Sequence, residues 1–181
     1  MTASAFDPAA FGSDPPEFDD PFAILQACHG RIERMLRTLE RLGPHVAARG
    51  MDGEAREAVA RVRRYFELAG PDHHADEECD LFPAARRAAE LAGDAAQHVA
   101  IDRLVQEHRE MERGWAALRT HLDALSAGRA AAVDGALVGG FVALYRDHVA
   151  REEGLVYAAA GPRLDAACRE ALAAAMVARR R

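Results

Sequence analysis

The sequence predicts an all-α fold, an up-down-up-down four-helix bundle with an N-terminal arm and a short C-terminal helix, on three observations. Apolar residues recur at steps of three and four along four long stretches, the period of a helix with one face turned inward. The apolar half of the chain is rich in Ala and poor in aromatic residues (6%), a composition that favours helix over strand. Short breaks containing Gly or Pro separate the stretches and bring consecutive helices together antiparallel.

Residues 1–20 carry prolines and acidic side chains with no basic residue, and read as an extended or partly disordered arm. Phe6, Phe11 and Phe18 are its apolar exceptions. They leave two readings open, a flexible tail or an arm laid across the domain. Residues 21–160 form the bundle. The first helix runs from about Pro21 to Leu42 on the stripe Phe22, Leu25, His29, Ile32, Leu36, Leu39, and Gly43-Pro44 is expected to end it. The second runs from about Gly53 to Phe82 through Val59, Val62, Phe66, His73, Glu77 and Leu81. A kink is expected at Pro71, which lacks a backbone donor and crowds the preceding turn. The third starts at the N-cap Asp94 and carries Ile101, Leu104, His108, Met111, Trp115, Leu118, Leu122 and Leu125 to Gly128. The fourth, from about Ala130 to Ala160, carries Leu137, Phe141, Leu144, His148, Glu152 and Leu155. Residues 161–181 make a short Ala-rich helix and a basic tail, cations that suit a helix C-terminus.

Charge and cysteine usage narrow the partners. A net charge of −6 argues against a surface built for nucleic acid or anionic lipid. The uncharged apolar run at 135–145 is too short to span a membrane. Three cysteines, Cys28, Cys79 and Cys168, make no disulfide framework. Without a secretory pattern at the N-terminus, the expected location is the cytoplasm. The number of subunits is left open.

The informative residues are four of the eight histidines. His29, His73, His108 and His148 each interrupt an apolar stripe, one per helix. An imidazole buried there is costly unless it is paired or bound to a metal. Glu77 follows His73 by four residues, and Glu152 follows His148 by four. Each pair therefore lies on one helical face about 6 Å apart along the axis. That spacing allows one helix to give a nitrogen to one metal and a carboxylate bridging to a second. Glu112, four after His108, and His74 beside His73 are further candidate ligands. His45 reads as a loop residue, and His98 and His121 as solvated. Glu78 and Glu153 stand one step off the inward face, as do Cys28 and Cys79. Tyr145 is a candidate hydrogen-bond partner to the ligands. No Glu-x-x-His, His-Glu-x-x-His or Cys-x-x-Cys occurs, which sets aside ferritin-like, zinc-protease and zinc-ribbon sites.

The strings His73-His74-Ala75-Asp76-Glu77-Glu78-Cys79-Asp80-Leu81-Phe82-Pro83, Gln106-Glu107-His108 and His148-Val149-Ala150-Arg151-Glu152-Glu153-Gly154-Leu155-Val156-Tyr157 resemble the hemerythrin-like, HHE cation-binding domain over about residues 20–160. The resemblance implies a left-turning four-helix bundle holding two non-heme iron ions with a bridging oxo or hydroxo group. His29, His73, His108 and His148 would be terminal ligands, and Glu77 and Glu152 would bridge. The donor chemistry by itself also admits Zn, Mn or Co. The oxygen-carrier branch has His-x3-His on the third helix, whereas this chain has Glu112 at the later position. Counting donors against two octahedral ions then leaves about two positions open. The expected function is binding of a small diatomic or peroxide ligand (O2, NO or similar) for sensing, protection or iron handling. The alternatives are turnover of peroxide or NO, and metal storage or transfer without catalysis.

Overall fold

A computed structural model describes residues 20–180. The readings of the N-terminal arm fall outside them. The order is α1 (Pro21–Arg49), α2 (Gly53–Arg64), a π-helical turn (Tyr65–Ala69), α3 (Gly70–Ala75), a second π turn (Asp76–Leu81), α4 (Phe82–Ala92), α5 (Ala95–Ser126), α6 (Gly135–Arg151), a third π turn (Glu152–Tyr157), α7 (Ala158–Ala160), a 3-10 turn (Gly161–Arg163) and α8 (Ala166–Arg179). There is no strand among the described residues. Residues 53–92 form one interrupted rod and 135–160 another. With α1 and α5 they close a ring in which each rod packs on its chain neighbour and α1 also packs on α6.

Aspartates start the rods. Asp20, Asp52, Asp94, Asp134 and Asp165 each accept a backbone N–H of the first turn, satisfying donors that the helix cannot. Gly43-Pro44 does not end α1. The helix continues to Arg49 because Leu42, His45 and Val46 still face the core while the Pro44 ring is exposed, so burial offsets one lost backbone bond. His45 is consequently a buried helical residue, with Nε2 2.9 Å from the α2 cap Asp52. Two other expected boundaries move: the second rod runs on to Ala92, where Gly93 (φ 66°) supplies the left-handed residue that stops it, and α6 begins at Gly135.

The π turns set the phase of the buried faces. Gly70 donates to the Tyr65 carbonyl, Phe82 to Glu77 and Ala158 to Glu153, each five residues back. The extra residue in each turn rotates the stretch of helix beyond it. After Glu152 the buried residues are Val156, Tyr157 and Ala160, and Leu155, expected on the stripe, is 52% exposed. Pro71 and Pro83 each enter the α-helix just after a π turn, where the regular i−4 bond is already interrupted.

Two apolar clusters fill the bundle. One holds Ile32, Leu36, Val59, Phe66, Met111, Leu118, Phe141 and Tyr145 among others. The other holds Phe22, Leu25, Leu81, Phe82, Ile101, Leu104, Val156 and, from α8, Leu172 and Met176. The two terminal arginines of the described chain close α8 onto the bundle. Arg179 and Arg180 both pair with Asp76, which is fully buried, and Arg179 also reaches Asp80 at 2.7 Å. Removing both guanidiniums strands that carboxylate. Arg179→Ala/Arg180→Ala should therefore lower the free energy of unfolding measured in urea by about 2 kcal/mol. Asp76→Asn in the same background should restore part of it, and additive effects would show that the contact contributes nothing.

Candidate metal centre

His29 comes from α1, His73 from α3, His108 from α5 and His148 from α6. Glu77 and Glu152 come from the second and third π turns. All six are buried, with His108, Glu77 and Glu152 at 0% exposure. They make a polar layer between two apolar clusters, and their donor atoms fall into two groups. One group is His29, His73, Glu77 and Glu152, and the other is Glu77, His108 and His148. His73 Nε2 is 3.1 Å from Glu77 Oε1, His108 Nε2 is 3.2 Å from Glu77 Oε2, and His29 Nε2 is 3.2 Å from Glu152 Oε2. His108 Nε2 and His148 Nε2 are 3.1 Å apart.

Three of the imidazoles are turned by carboxylates behind them. His29 Nδ1 meets Glu153 at 2.8 Å, His108 Nδ1 meets Glu78 at 2.8 Å, and His148 Nδ1 meets Glu107 at 3.1 Å. The carboxylate accepts, so each Nδ1 carries the proton and donates it, and the rings of His108 and His148, held neutral by burial, point an Nε2 lone pair at the centre. Glu107 is in turn held by Arg103 and Arg151, at 2.9 and 2.7 Å, and Glu78 by Arg109 at 2.8 Å. Several buried atoms of the layer have no hydrogen-bond partner among the described residues: His29 Nε2, Glu77 Oε2 and both carboxylate oxygens of Glu152.

Without a cation, protons have to balance the layer. Burial holds His73 well below its ordinary range, keeps His108 low and brings His148 down to about 4. Burial also acts on His29, but the Glu152 and Glu153 carboxylates outweigh it and raise that imidazole. Burial and the neighbouring Glu152 charge put Glu77 well above the carboxylate range. For Glu152, burial is outweighed by His29, which keeps it low. Without metal, burial therefore favours the protonated form of Glu77, and the contact of His29 with Glu152 favours the charged forms of both. The donor set itself fits metal ions. Two donors at right angles on one ion, each about 2.1 Å from it, stand about 3.0 Å apart, close to the spacings seen here.

The family model of the hemerythrin HHE cation-binding domain matches residues 20–160. The chain belongs to the hemerythrin HHE cation-binding family. An uncharacterized protein of Haemophilus influenzae is similar to it, 30% identical over 145 residues, which cover 78% of this chain and 81% of that protein.

Within this HHE domain the six donors expected from the stripes come together, and the two further candidates stand apart. Glu112 lies on the exposed face of α5, paired with Arg109 at 3.0 Å, because the step from His108 carries it out of the bundle. The His74 ring is half-buried and lies parallel to His108 with centroids 4.0 Å apart, behind the ligand atoms and not among them. The tyrosine at the centre is Tyr157, not Tyr145. The Tyr157 hydroxyl donates to Glu77 Oε1 at 3.4 Å and its ring stacks on His29, whereas Tyr145 packs against Phe66 and Phe141. Glu107, Glu78 and Glu153 carry a role that periodicity does not reveal. The signal for two of them is the doubled Glu after each His-x3 spacing. Cys28 is buried and its sulfur accepts from Arg31, although the stripe placed it outside. His121 accepts the Asp134 N–H at 2.9 Å and so ties a loop.

The shifts set a pH dependence for the metal-free HHE domain. In the unfolded chain the imidazole of His148 titrates near 6.5 and in the fold near 4, so unfolding takes up a proton between these values and stability is lost as the pH is lowered through that window. This one residue amounts to about 3 kcal/mol. His73, His108 and the lowered Glu152 act in the same direction, whereas His29 and Glu77, both raised in the fold, act against them. The urea midpoint of metal-free protein should therefore be lower at pH 4.5 than at 7.5, and a midpoint that rises on acidification would contradict a layer of buried neutral imidazoles.

Proposed function

We propose that this HHE domain binds two non-heme iron ions with a bridging oxo or hydroxo group and uses them to bind a small oxidant or gas, O2, NO or similar, in a cytoplasmic sensing, protective or iron-handling role. The observation that carries the metal reading is the pair His108 and His148. Both rings spend Nδ1–H on a carboxylate, so both Nε2 atoms are lone pairs, and they face each other at 3.1 Å in the buried core. Only a cation or a shared proton reconciles them. Imidazole and carboxylate donors suit iron, with Zn or Mn as possible substitutes.

Iron held here supplies one-electron redox chemistry and a position for a small ligand. The residues of the chain do the rest. The four imidazoles and two carboxylates fix the ions, while Tyr157 steadies Glu77. Glu78, Glu107 and Glu153 hold the ring orientations, and the apolar clusters above and below exclude water. Two clefts approach the layer, the first ending at His74 and Glu78 behind His108 and the second touching His29. One of about 360 Å³ is lined by Phe66, His74, Glu78, Trp115 and Tyr145, and one of about 410 Å³ by His29, Leu36, Tyr145 and Glu153. Both suit a small ligand. They also favour a second reading, turnover of peroxide or NO, which steady-state assays of iron-loaded protein separate from stoichiometric binding.

Protein purified without added metal should contain about two metal ions per chain. After iron loading it should show oxo-bridge charge-transfer absorption. A ligand bound only by the folded state stabilises it by about 4 kcal/mol at a thousand times its dissociation constant. Chelation should therefore lower Tm clearly. His148→Ala and Glu77→Ala should lose metal and most of that gain, and His98→Ala should keep both. A Tm indifferent to chelator, with no metal at purification, would refute the proposal.

A further inference from the structure

The centre is built from two copies of one pattern, and the copies are unequal. The His73-x3-Glu77-Glu78 and His148-x3-Glu152-Glu153 spacings repeat. In each, the second Glu receives the Nδ1–H of an imidazole on another rod: Glu78 from His108 and Glu153 from His29. In each, an aromatic ring five residues past the first Glu lies parallel to that same imidazole. Phe82 stands 6.0 Å from His108, and Tyr157 stands 5.8 Å from His29.

The repeat breaks at the other two imidazoles. His148 donates to Glu107, the residue before His108. By the same pattern, His73 would donate to the residue before His29, which is Cys28. The Cys28 sulfur accepts instead from Arg31 at 2.9 Å and Arg180 at 3.7 Å, and His73 Nδ1 is buried without a partner among the described residues. The His108/His148 half therefore has both rings locked from behind, and the His29/His73 half has one. Glu77 spans both halves, and Glu152 groups with the His29/His73 half, where it adds a donor but leaves the His73 ring itself without support from behind. Glu77 Oε1 and Oε2 face His73 and His108, and Glu152 Oε2 is 3.2 Å from His29 and 3.8 Å from His148.

We infer that the two metal positions are unequal, with the His108/His148 position holding its ion tightly and the His29/His73 position labile at His73. The inference rests on the two-metal reading above. A carboxylate behind a ligating imidazole fixes its tautomer, orients the ring and strengthens the donor, and removing such a partner typically lowers metal affinity 10–100-fold. His73 lacks that support, and its Nδ1–H is left unpaired whenever Nε2 binds. Glu107 is the positioning residue on the tight side.

The test is chelator-driven release of Co(II) from the full chain, followed by visible absorption and by metal content at each stage. Wild-type protein should release two ions in two phases whose rates differ at least tenfold. His73→Ala should lose the fast phase and keep one slowly released ion per chain. Glu107→Gln, which preserves size and removes the accepting charge, should speed the slow phase and leave the fast one unchanged. Circular dichroism of each variant confirms that it is folded. Release of both ions in one phase, or loss of the slow ion in His73→Ala, would overturn the inequality while leaving the two-metal reading intact. Failure of wild-type protein to take up Co(II) would overturn that reading itself.

Discussion

Six ionisable side chains in a buried layer are the constraint on which the rest of this molecule depends. Their donor atoms sit 3.1–3.2 Å apart, too close for lone pairs and carboxylates without positive charge between them. The surroundings are graded to suit. Behind three of the four imidazoles stand carboxylates, behind Glu78 and Glu107 stand arginines, and behind the arginines lies solvent. Negative charge next to the rings favours their role as donors, and the guanidiniums of Arg103 and Arg151 favour the ionised form of Glu107. Glu107 shows this balance, since burial raises it and Arg103, Arg151 and His148 bring it back down.

Much of this was legible in the sequence because a helix advertises its buried face. A histidine in place of Leu at His29, His73, His108 and His148 is conspicuous against the apolar period, and Glu77 and Glu152 keep the same phase. What periodicity could not show was any change of phase. Each π turn adds a residue to the winding. The stripe read through Glu152 therefore lands on Leu155, when the chain buries Val156 and Tyr157. That shift also hid Tyr157 and made Tyr145 the apparent partner of the ligands.

The outer carboxylates were illegible for a different reason. Glu78, Glu107 and Glu153 sit at the margin of the inward face, where a charged residue is the ordinary covering of a solvated helix. Their partners lie 30, 41 and 124 residues away in sequence, so only the closed ring of rods reveals the pairing. Local rules misjudged Pro44 and His45 likewise. A proline reads as a stop unless the cost of one backbone bond is weighed against the burial of Leu42 and Val46 on either side of it. The family match ends at residue 160, yet α8 contributes Leu172, Ala173 and Met176 to the lower apolar cluster and two guanidiniums to Asp76, the neighbour of Glu77.

The polar layer also divides the hydrophobic interior. Above it the side chains of α1, α2, α5 and α6 cohere, and below it those of α4, α7 and α8 join the starts of α1 and α5. The stratum of imidazole and carboxylate interrupts apolar contact between the two ends, so they are expected to open locally as separate units, coupled by the rods α1 and α5 and by whatever occupies the layer. Occupancy therefore decides more than chemistry. With cations in place the two units are riveted into one body that opens as a whole. With protons in their place, either end can breathe alone, and slow amide exchange in one half no longer implies protection in the other.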